Sequence, residues 1–226
     1  MYTLAFDTST RSGSVALLKQ DSVLAEILLN SGKNHSESVL PAVGEVLRFS
    51  GLQIRDVDLF AITSGPGSFT GLRIGISIVK GLALAASKPV AAVSTLDALA
   101  YNLFHVPMAI CPLLDAKKGQ IYAAVYRSRK SGAPEKAGPE VVADPRDFFA
   151  SIRQDVIFTG DGATVYVHLM EKMLRGRFYV APPHLRFIRA SAVGLLAREK
   201  FIAGHTADVS RLAPLYIRDP AVEANT

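Results

Sequence analysis

The chain has 226 residues, of which 49% are hydrophobic, and a formal net charge of +5. This size and apolar content are enough for one large domain or two small lobes, each with its own core. No uninterrupted run reaches the ~18 apolar residues of a membrane span, and the N-terminus lacks the basic segment of a signal peptide. The single cysteine, Cys111, has no second cysteine with which to form an internal disulfide. We therefore expect a cytoplasmic protein that does not contact a membrane.

The positive charge is concentrated in the second half of the chain. Residues 1–105 contain eight Lys/Arg and eight Asp/Glu, whereas residues 106–226 contain seventeen and twelve. A surplus of five permits contact with nucleic acid but does not require it. Five basic residues between positions 172 and 189 form either a solvated face or a surface that contacts RNA. They are Lys172, Arg175, Arg177, Arg186 and Arg189.

Hydrophobic periodicity in the first half predicts three strands followed by alternating helices and strands. The strands of this opening meander lie at residues 2–7, 14–19 and 23–29. A helix at 36–50, a strand at 58–63, a helix at 69–86, a strand at 89–93 and a helix from 95 to about 103 follow. The order β-β-β-α-β-α-β-α requires parallel pairing of the later strands through right-handed crossovers.

The second half repeats this order, with strands at 108–114, 120–126 and near 141, a helix at 145–152, a strand at 156–159, a helix at 163–174, a strand at 178–180 and a last helix at 191–203. Both halves open with a strand that ends in an aspartate, Asp7 or Asp115, followed by a short polar turn. Residues 131–139 are rich in glycine and proline and are predicted to form a surface loop. We therefore predict an α/β protein of two lobes, residues 1–105 and 106–226, each with a mixed sheet flanked by helices.

A glycine-rich string joins the predicted strand at 58–63 to the helix that follows, and runs from Thr63 to Arg73. It is neither a P-loop, because no Gly-Lys-Ser/Thr follows, nor a dinucleotide fingerprint, because the third glycine comes one residue too late. In the helix, Gly71 and Gly75 form one ridge of small residues, and Ser77, Gly81 and Ala85 form another. Four-spaced small residues allow close helix packing, against either this chain or another subunit.

Two repeated lobes that each begin with an aspartate-ended hairpin resemble the actin-like (ribonuclease H-like) superfamily of sugar kinases and Hsp70 ATPase domains. Within it, several strings resemble the TsaB family, also called YeaZ, strongly up to about residue 125 and more loosely beyond. These strings are Phe6-Asp7-Thr8-Ser9, His35-Ser36-Glu37, Ser64-Gly65-Pro66-Gly67-Ser68-Phe69-Thr70-Gly71-Leu72-Arg73, Lys80-Gly81-Leu82-Ala83 and Thr159-Gly160-Asp161-Gly162-Ala163.

The resemblance implies a role in forming N6-threonylcarbamoyladenosine at position 37 of tRNAs, as a partner of the catalytic subunit TsaD and of the ATPase TsaE. It also implies that the helices at 36–50 and 69–86 bind TsaD, or a second copy of this chain when TsaD is absent. A bulky residue at Gly75 is then expected to break pairing and leave the lobe folded. The predicted interface residues are Val39, Val43, Val46, Leu47, Gly71, Gly75, Ile78 and Leu82.

Catalytic metal ligands are not expected. TsaD binds its metal partly through two histidines at i and i+4 on a helix, and in this chain the resemblance aligns Thr95 and Leu99 with them. Leucine has no lone pair to offer a metal, so no catalytic residue and no metal site are predicted. The predicted function is a non-catalytic scaffold or activator subunit, and its basic second half leaves a contact with tRNA open.

A vestigial nucleotide cleft is the remaining site that the resemblance implies. Its residues would be Asp7, Ser9, Asp115, Gly160 and Gly162. Because Thr8 and Ser9 replace the glycine that usually follows the first aspartate, the backbone is less free to approach a phosphate, and only weak ATP or ADP binding is left open. An ATP-binding kinase-like enzyme and a metallopeptidase-like enzyme remain as alternatives.

Overall fold

A computed structural model describes residues 1–32, 34–129 and 132–217, and these form two compact units. The first unit contains Met1–Ala98 and Ile188–Leu215, and the second consists mainly of Leu99–Phe187. This differs from the predicted division after residue 105, because the C-terminal helix returns to the first unit. Periodicity along the chain predicts that a helix exists, but it does not say which sheet the helix covers.

The first unit is built on a five-stranded sheet with the order β3-β2-β1-β4-β5. The three opening strands pair as an antiparallel meander, and β1, β4 and β5 are parallel to one another. Because the carboxyl ends of parallel strands meet at one edge, the residues that follow β1, β4 and β5 lie near each other. The bounds are β1 Tyr2–Asp7, β2 Gly13–Lys19, β3 Ser22–Leu29, β4 Leu59–Gly65 and β5 Val90–Ser94.

Helices cover both faces of this sheet. Helix α1 (His35–Ser50) contacts β2 and β3, and α2 (Phe69–Ala86) contacts β4 and α1. Their buried residues share one hydrophobic core with Leu4 and Phe6 of β1. The helix α7 (Ala190–Ile202) lies against the opposite face, where a Cβ at Gly194 would meet Leu18 and Ala5. The short helix α3 (Thr95–Tyr101) follows β5.

The second unit repeats the same strand order, β10-β7-β6-β11-β12, so the predicted fold class of two related α/β lobes is confirmed. Its core contains Cys111, Phe149, Phe158 and Met170. The bounds are β6 Ala109–Asp115, β7 Ile121–Ala123, β10 Val141–Ala143, α4 Pro145–Ser151, β11 Val156–Thr159, α5 Gly162–Val165, α6 Val167–Leu174 and β12 Phe178–Val180.

Local features of the second unit differ from the prediction. The strand expected at 120–126 is broken into β7 and β8 (Tyr126–Arg127), and β8 pairs with β9 (Glu135–Lys136) inside the loop expected at 131–139. Ser131, at the start of that loop, lies outside the described residues. The helix expected at 163–174 is divided at Tyr166. The additional strands depend on tertiary contacts, because β8 forms by pairing with β6 and β9.

Within the described part of the chain, α2 is the one helix with the length and apolar composition of a membrane span. In this structure its buried residues Ile76, Val79 and Ala83 pack in the core of the first unit. An apolar helix that covers a sheet needs the same composition, so the packing of α2 accounts for its hydrophobicity.

Candidate functional site

Asp7, the last residue of β1, is fully buried. Its Oδ1 accepts hydrogen bonds from the Ser9 hydroxyl (2.6 Å), the Ser9 N–H (3.2 Å) and the Thr63 hydroxyl (2.6 Å). Its Oδ2 has no hydrogen-bond partner among the described residues. Burial raises the pKa of Asp7, and the hydrogen bonds from Ser9 and Thr63 oppose that rise.

The glycine-rich loop and the first turns of α2 pack directly on the turn that follows Asp7. Ser68 donates its N–H to the Ser9 carbonyl at 2.7 Å, and the Thr8 hydroxyl donates to the Gly71 carbonyl at 2.8 Å. A Cβ at Gly67, Gly71 or Gly75 would collide with atoms of Ser9 or Thr8. The glycines therefore allow the backbone of α2 to lie against this turn.

Asp7 and Ser9, two of the residues predicted to line a nucleotide cleft, have no solvent exposure in this structure. Asp7, Thr8 and Ser9 are all fully buried, and the glycine loop lies over the backbone that would approach a phosphate. Sequence comparison with nucleotide-binding hairpins could not show this, because Thr8 and Gly71 are 63 residues apart in the chain.

His35, from the resemblance string at residues 35–37, closes the same turn from the other side. Its Nε2 lies 2.7 Å from the Thr10 carbonyl, and its ring packs where a Cβ of Gly13 would be. Sequence reasoning found the motif but assigned no role to it. In the structure, His35 is the first residue of α1, and its side chain connects that helix to the turn between β1 and β2.

Five of the eight residues predicted to form the partner interface face the interior of the first unit. Val39, Val43 and Val46 belong to the core of the first unit, and Gly71 and Gly75 are buried against Thr8. A bulky residue at Gly75 would therefore disturb folding rather than only pairing. The other three, Leu47, Ile78 and Leu82, are partly buried and pack against the same core.

The second small-residue ridge of α2 points outward. Ser77, Gly81 and Ala85 are exposed, and a Cβ at Gly81 would meet nothing within 4 Å. Since α1 contacts α2, the exposed sides of these helices form one surface, which we call the α1–α2 face. The exposed large apolar residues of these two helices are Leu40 (49% exposed) and Phe49 (67%), on opposite sides of α1, and Leu84 (66%) on α2, three residues after Gly81.

Asp115 ends the first strand of the second unit and is partly exposed. The Lys117 ammonium lies 2.7 Å from its Oδ2, and the Lys117 N–H donates to its Oδ1 at 2.9 Å. The hydrogen bond to Asp115 raises the pKa of Lys117. The Tyr166 hydroxyl is 3.5 Å from Oδ1. Asp115 is therefore held by a cation from its own turn.

Gly160 and Gly162, the other predicted cleft residues, have a packing role within the second unit. Gly160 has a φ of +96°, and a Cβ there would collide with the Leu113 carbonyl oxygen. A Cβ at Gly162 would lie 2.9 Å from the same oxygen. Close approach of this loop to β6 explains both glycines without a bound adenosine.

Thr95 and Leu99, which the resemblance aligns with the two metal-binding histidines of TsaD, are both fully buried. The Thr95 hydroxyl has no hydrogen-bond partner among the described residues. Residues 1–32, 34–129 and 132–217 contain no group of three or more His, Cys, Asp or Glu placed to hold a metal.

The predicted basic cluster is divided by the fold. Arg189 belongs to the first unit, where its Nε lies 3.1 Å from Glu26 Oε2, and Glu26 also accepts from Ser191 at the start of α7. Arg186 turns toward the second unit, with Nε 2.5 Å from the Ala181 carbonyl. Lys172, Arg175 and Arg177 remain exposed.

Comparison with known proteins agrees with these motifs. The family model for TsaD, tRNA N6-adenosine threonylcarbamoyltransferase, matches residues 22–226. The tRNA threonylcarbamoyladenosine biosynthesis protein TsaB of Bacillus subtilis (strain 168) is 34% identical over 227 residues, covering 99% of this chain and 97% of that protein.

Solved structures give the same result for the fold. YeaZ from Pseudomonas aeruginosa superposes with a TM-score of 0.79 at 28% identity, over 95% of this chain and 99% of that one. The activator of 2-hydroxyisocaproyl-CoA dehydratase from Clostridium difficile, with bound ADPNP, shares the fold alone (TM-score 0.56, 11% identity, 90% and 97% covered). The chain therefore belongs to the TsaB (YeaZ) family of tRNA threonylcarbamoyladenosine biosynthesis proteins.

Proposed function

We propose that this chain is a non-catalytic scaffold or activator subunit in N6-threonylcarbamoyladenosine formation, and that it binds TsaD through the α1–α2 face. The observation that best supports this is the division of small residues on α2. Gly71 and Gly75 pack inward on Thr8, whereas Ser77, Gly81 and Ala85 point outward.

The outward ridge has no explanation within the described residues. A glycine inside a helix costs ~1 kcal/mol relative to alanine, and no neighbour near Gly81 compensates for that cost. Small residues four apart let a second helix approach closely. Leu84, three residues after Gly81, supplies exposed apolar area beside the ridge, and apolar residues are expected at the centre of a protein interface.

Two features favour the absence of an activity of its own. Asp7, which would face a nucleotide in a working member of the fold, is fully buried. Thr95 and Leu99 replace the metal-binding pair and are buried as well. Both argue for a role through surface contact rather than through chemistry at these positions.

The proposal extends to the other partners in a simple way. The α1–α2 face would support a homodimer when TsaD is absent, since apolar surface of this kind is covered by whichever partner fits it. TsaE would join the pair formed with TsaD. ATP or ADP would bind weakly at most, because Asp7 is inaccessible in this conformation.

Substituting Gly81→Gln tests the interface without disturbing the core. Glutamine favours the helix over glycine by up to ~1 kcal/mol, so the variant should be at least as stable as the parent. It should bind TsaD at least about ten-fold more weakly by titration calorimetry, because a long side chain prevents close helix approach. Val165→Gln, at a 58% exposed position of α5, is the matched control and should bind normally.

Reconstitution tests the functional part of the proposal. A mixture of TsaD and TsaE should transfer threonylcarbamoyl to tRNA only when this chain is added, and Gly81→Gln should reduce that activity together with pairing. Full activity of TsaD and TsaE without this chain would refute the scaffold role. Normal pairing of Gly81→Gln with TsaD would refute the assigned interface.

A further inference from the structure

The positive charge of the second unit has one local source. Residues 99–187 contain twelve Lys/Arg and eight Asp/Glu, a surplus of four. Residues 172–187 alone contain four Lys/Arg and no acidic residue. The surplus within residues 99–187 therefore equals the charge of one short segment, which includes the end of α6 and all of β12.

Three of these four cations face solvent. Arg186 is the exception, since it hydrogen-bonds to Ala181 and Thr164. Lys172, Arg175 and Arg177 are exposed and form no ion pair with any residue that the structure describes. Unpaired surface cations in one segment are the electrostatic footprint of a polyanion site.

A tight turn brings the cations together. Helix α6 ends at Leu174, Arg175 and Gly176 have φ values of +48° and +82°, and the Arg177 N–H donates to the Leu174 carbonyl at 3.0 Å. Lys172 lies one helical turn before Arg175. The guanidinium of Arg177 donates to the backbone carbonyl of Arg153 at 3.4 Å, so the backbone of the exposed residue Arg153 lies beside it.

An aromatic ring is exposed beside these charges. In β12, Phe178 and Val180 pack against the core of the unit. Because side chains alternate along a strand, Tyr179 points outward together with Arg177, and it is 53% exposed. In the described part of the chain, β12 pairs only with β11, so it is an edge strand.

We infer that Lys172, Arg175, Arg177 and Tyr179 form a contact surface for the tRNA, which we call the β12 edge surface. The cations bind backbone phosphates, and the Tyr179 ring stacks on an unpaired base, the combination used for single-stranded nucleic acid. This inference rests on the proposed function, which makes tRNA the substrate of the assembly.

Two simpler explanations cover only part of the surface. Cations near a helix C-terminus interact favourably with the helix dipole, which accounts for Lys172 and Arg175 but not for the residues of the strand. Charged residues at edge strands discourage aggregation, which accounts for Arg177, the residue before β12, but not for an exposed tyrosine. An acidic protein partner would use the cations and would have no need of the ring.

Neutralising the three cations tests the electrostatic part. The triple variant Lys172→Gln, Arg175→Gln, Arg177→Gln is compared with Lys19→Gln, Arg55→Gln, Arg146→Gln, which removes the same charge from exposed positions elsewhere. Binding of an unmodified tRNA transcript to the assembly with TsaD is measured over a salt series. The first variant should bind at least about ten-fold more weakly, with a slope of log K against log salt smaller by about 2. The control should keep the parent slope to within about 1.

The ring is tested separately. Tyr179→Ala should weaken tRNA binding about ten-fold without changing the salt slope, and Tyr179→Phe should restore it, because stacking needs the ring and not the hydroxyl. Unchanged affinity and slope in the triple variant would overturn the inference. So would loss of pairing with TsaD in that variant, which would identify the surface as a protein contact. If the proposed function itself were wrong, the parent chain would not pair with TsaD, and this result is distinct from a failure of the inference.

Discussion

Asp7 and Asp115 occupy the same place in two copies of one fold, yet their surroundings are opposite. Each ends the first strand of a sheet with the order third, second, first, fourth, fifth. Asp7 is fully buried with one oxygen unpartnered among the described residues, whereas Asp115 is partly exposed and paired with Lys117. An aspartate at this topological position can thus be fully buried, or it can be partly exposed and paired with a lysine.

The glycine-rich loop after the fourth strand packs at a different point in each unit. In the first unit, Gly67 and Gly71 pack on Ser9 and Thr8, which come directly after the aspartate, and the Ser9 hydroxyl donates to Asp7. In the second unit, Gly160 and Gly162 pack on Leu113, which comes before the aspartate. The contact of the loop is therefore displaced along the chain from one unit to the other.

The largest expected effect comes from filling the space that the first loop uses. Gly75→Ala places a methyl group into the Thr8 hydroxyl and should lower the free energy of unfolding by about 2–4 kcal/mol in urea titration. Gly81→Ala, on the open side of the same helix, should raise it by about 0.5–1 kcal/mol. Similar values for the two variants would show that the close packing on Thr8 is not stabilising.

A smaller effect is expected from the buried carboxyl. Because burial raises the pKa of Asp7 above 3.8, the folded state binds the proton more tightly than the unfolded state. The free energy of unfolding should therefore fall as pH rises from 3.8 to the folded pKa. The fall should be about 1.4 kcal/mol for each pH unit that separates the folded pKa from the unfolded one.

Asp7→Asn removes this titration and should remove that part of the pH dependence, which urea titrations from about pH 4 to about pH 8 would reveal. Asp115→Asn is the control, and it should leave the fall in place because Asp115 is partly exposed. Identical pH profiles for the parent and Asp7→Asn would contradict the assignment of a raised pKa to Asp7.

The smallest effect is expected at the second aspartate. Lys117 is 79% exposed at its side chain, and solvent screens such pairs, so Lys117→Met should change the free energy of unfolding by less than about 0.5 kcal/mol. Added salt should remove even that difference. A loss of unfolding free energy comparable to that of Gly75→Ala would mean that the ion pair stabilises the second unit as much as close packing stabilises the first.

Much of the fold could be predicted from local pattern. The helix over Phe69–Ala86 and the strands Val156–Thr159 and Phe178–Val180 begin and end at the predicted residues, because hydrophobic periodicity and breakers act over a few residues. The return of α7 to the first unit and the extra strands β8 and β9 could not be predicted, since they depend on pairing with distant segments.

The candidate site was predicted less well than the fold. Spacing identified both small-residue ridges of α2 and left open whether they pack within this chain or on another subunit. The resemblance assigned Gly71 and Gly75 to a partner, whereas both pack on Thr8. A glycine inside a helix indicates that another group packs closely against it, but it does not identify that group. Only the position of Thr8, brought to α2 by the parallel pairing of β1 and β4, separates the inward ridge from the outward one.

Residue types and short-range spacing were enough to identify the family and the repeated order of elements, because both are local properties of the chain. Folding then determined that Asp7 is buried, that Asp115 is partly exposed, and which side of α2 is exposed. Burial depends on contacts between distant segments, and close packing admits one arrangement where periodicity allows several.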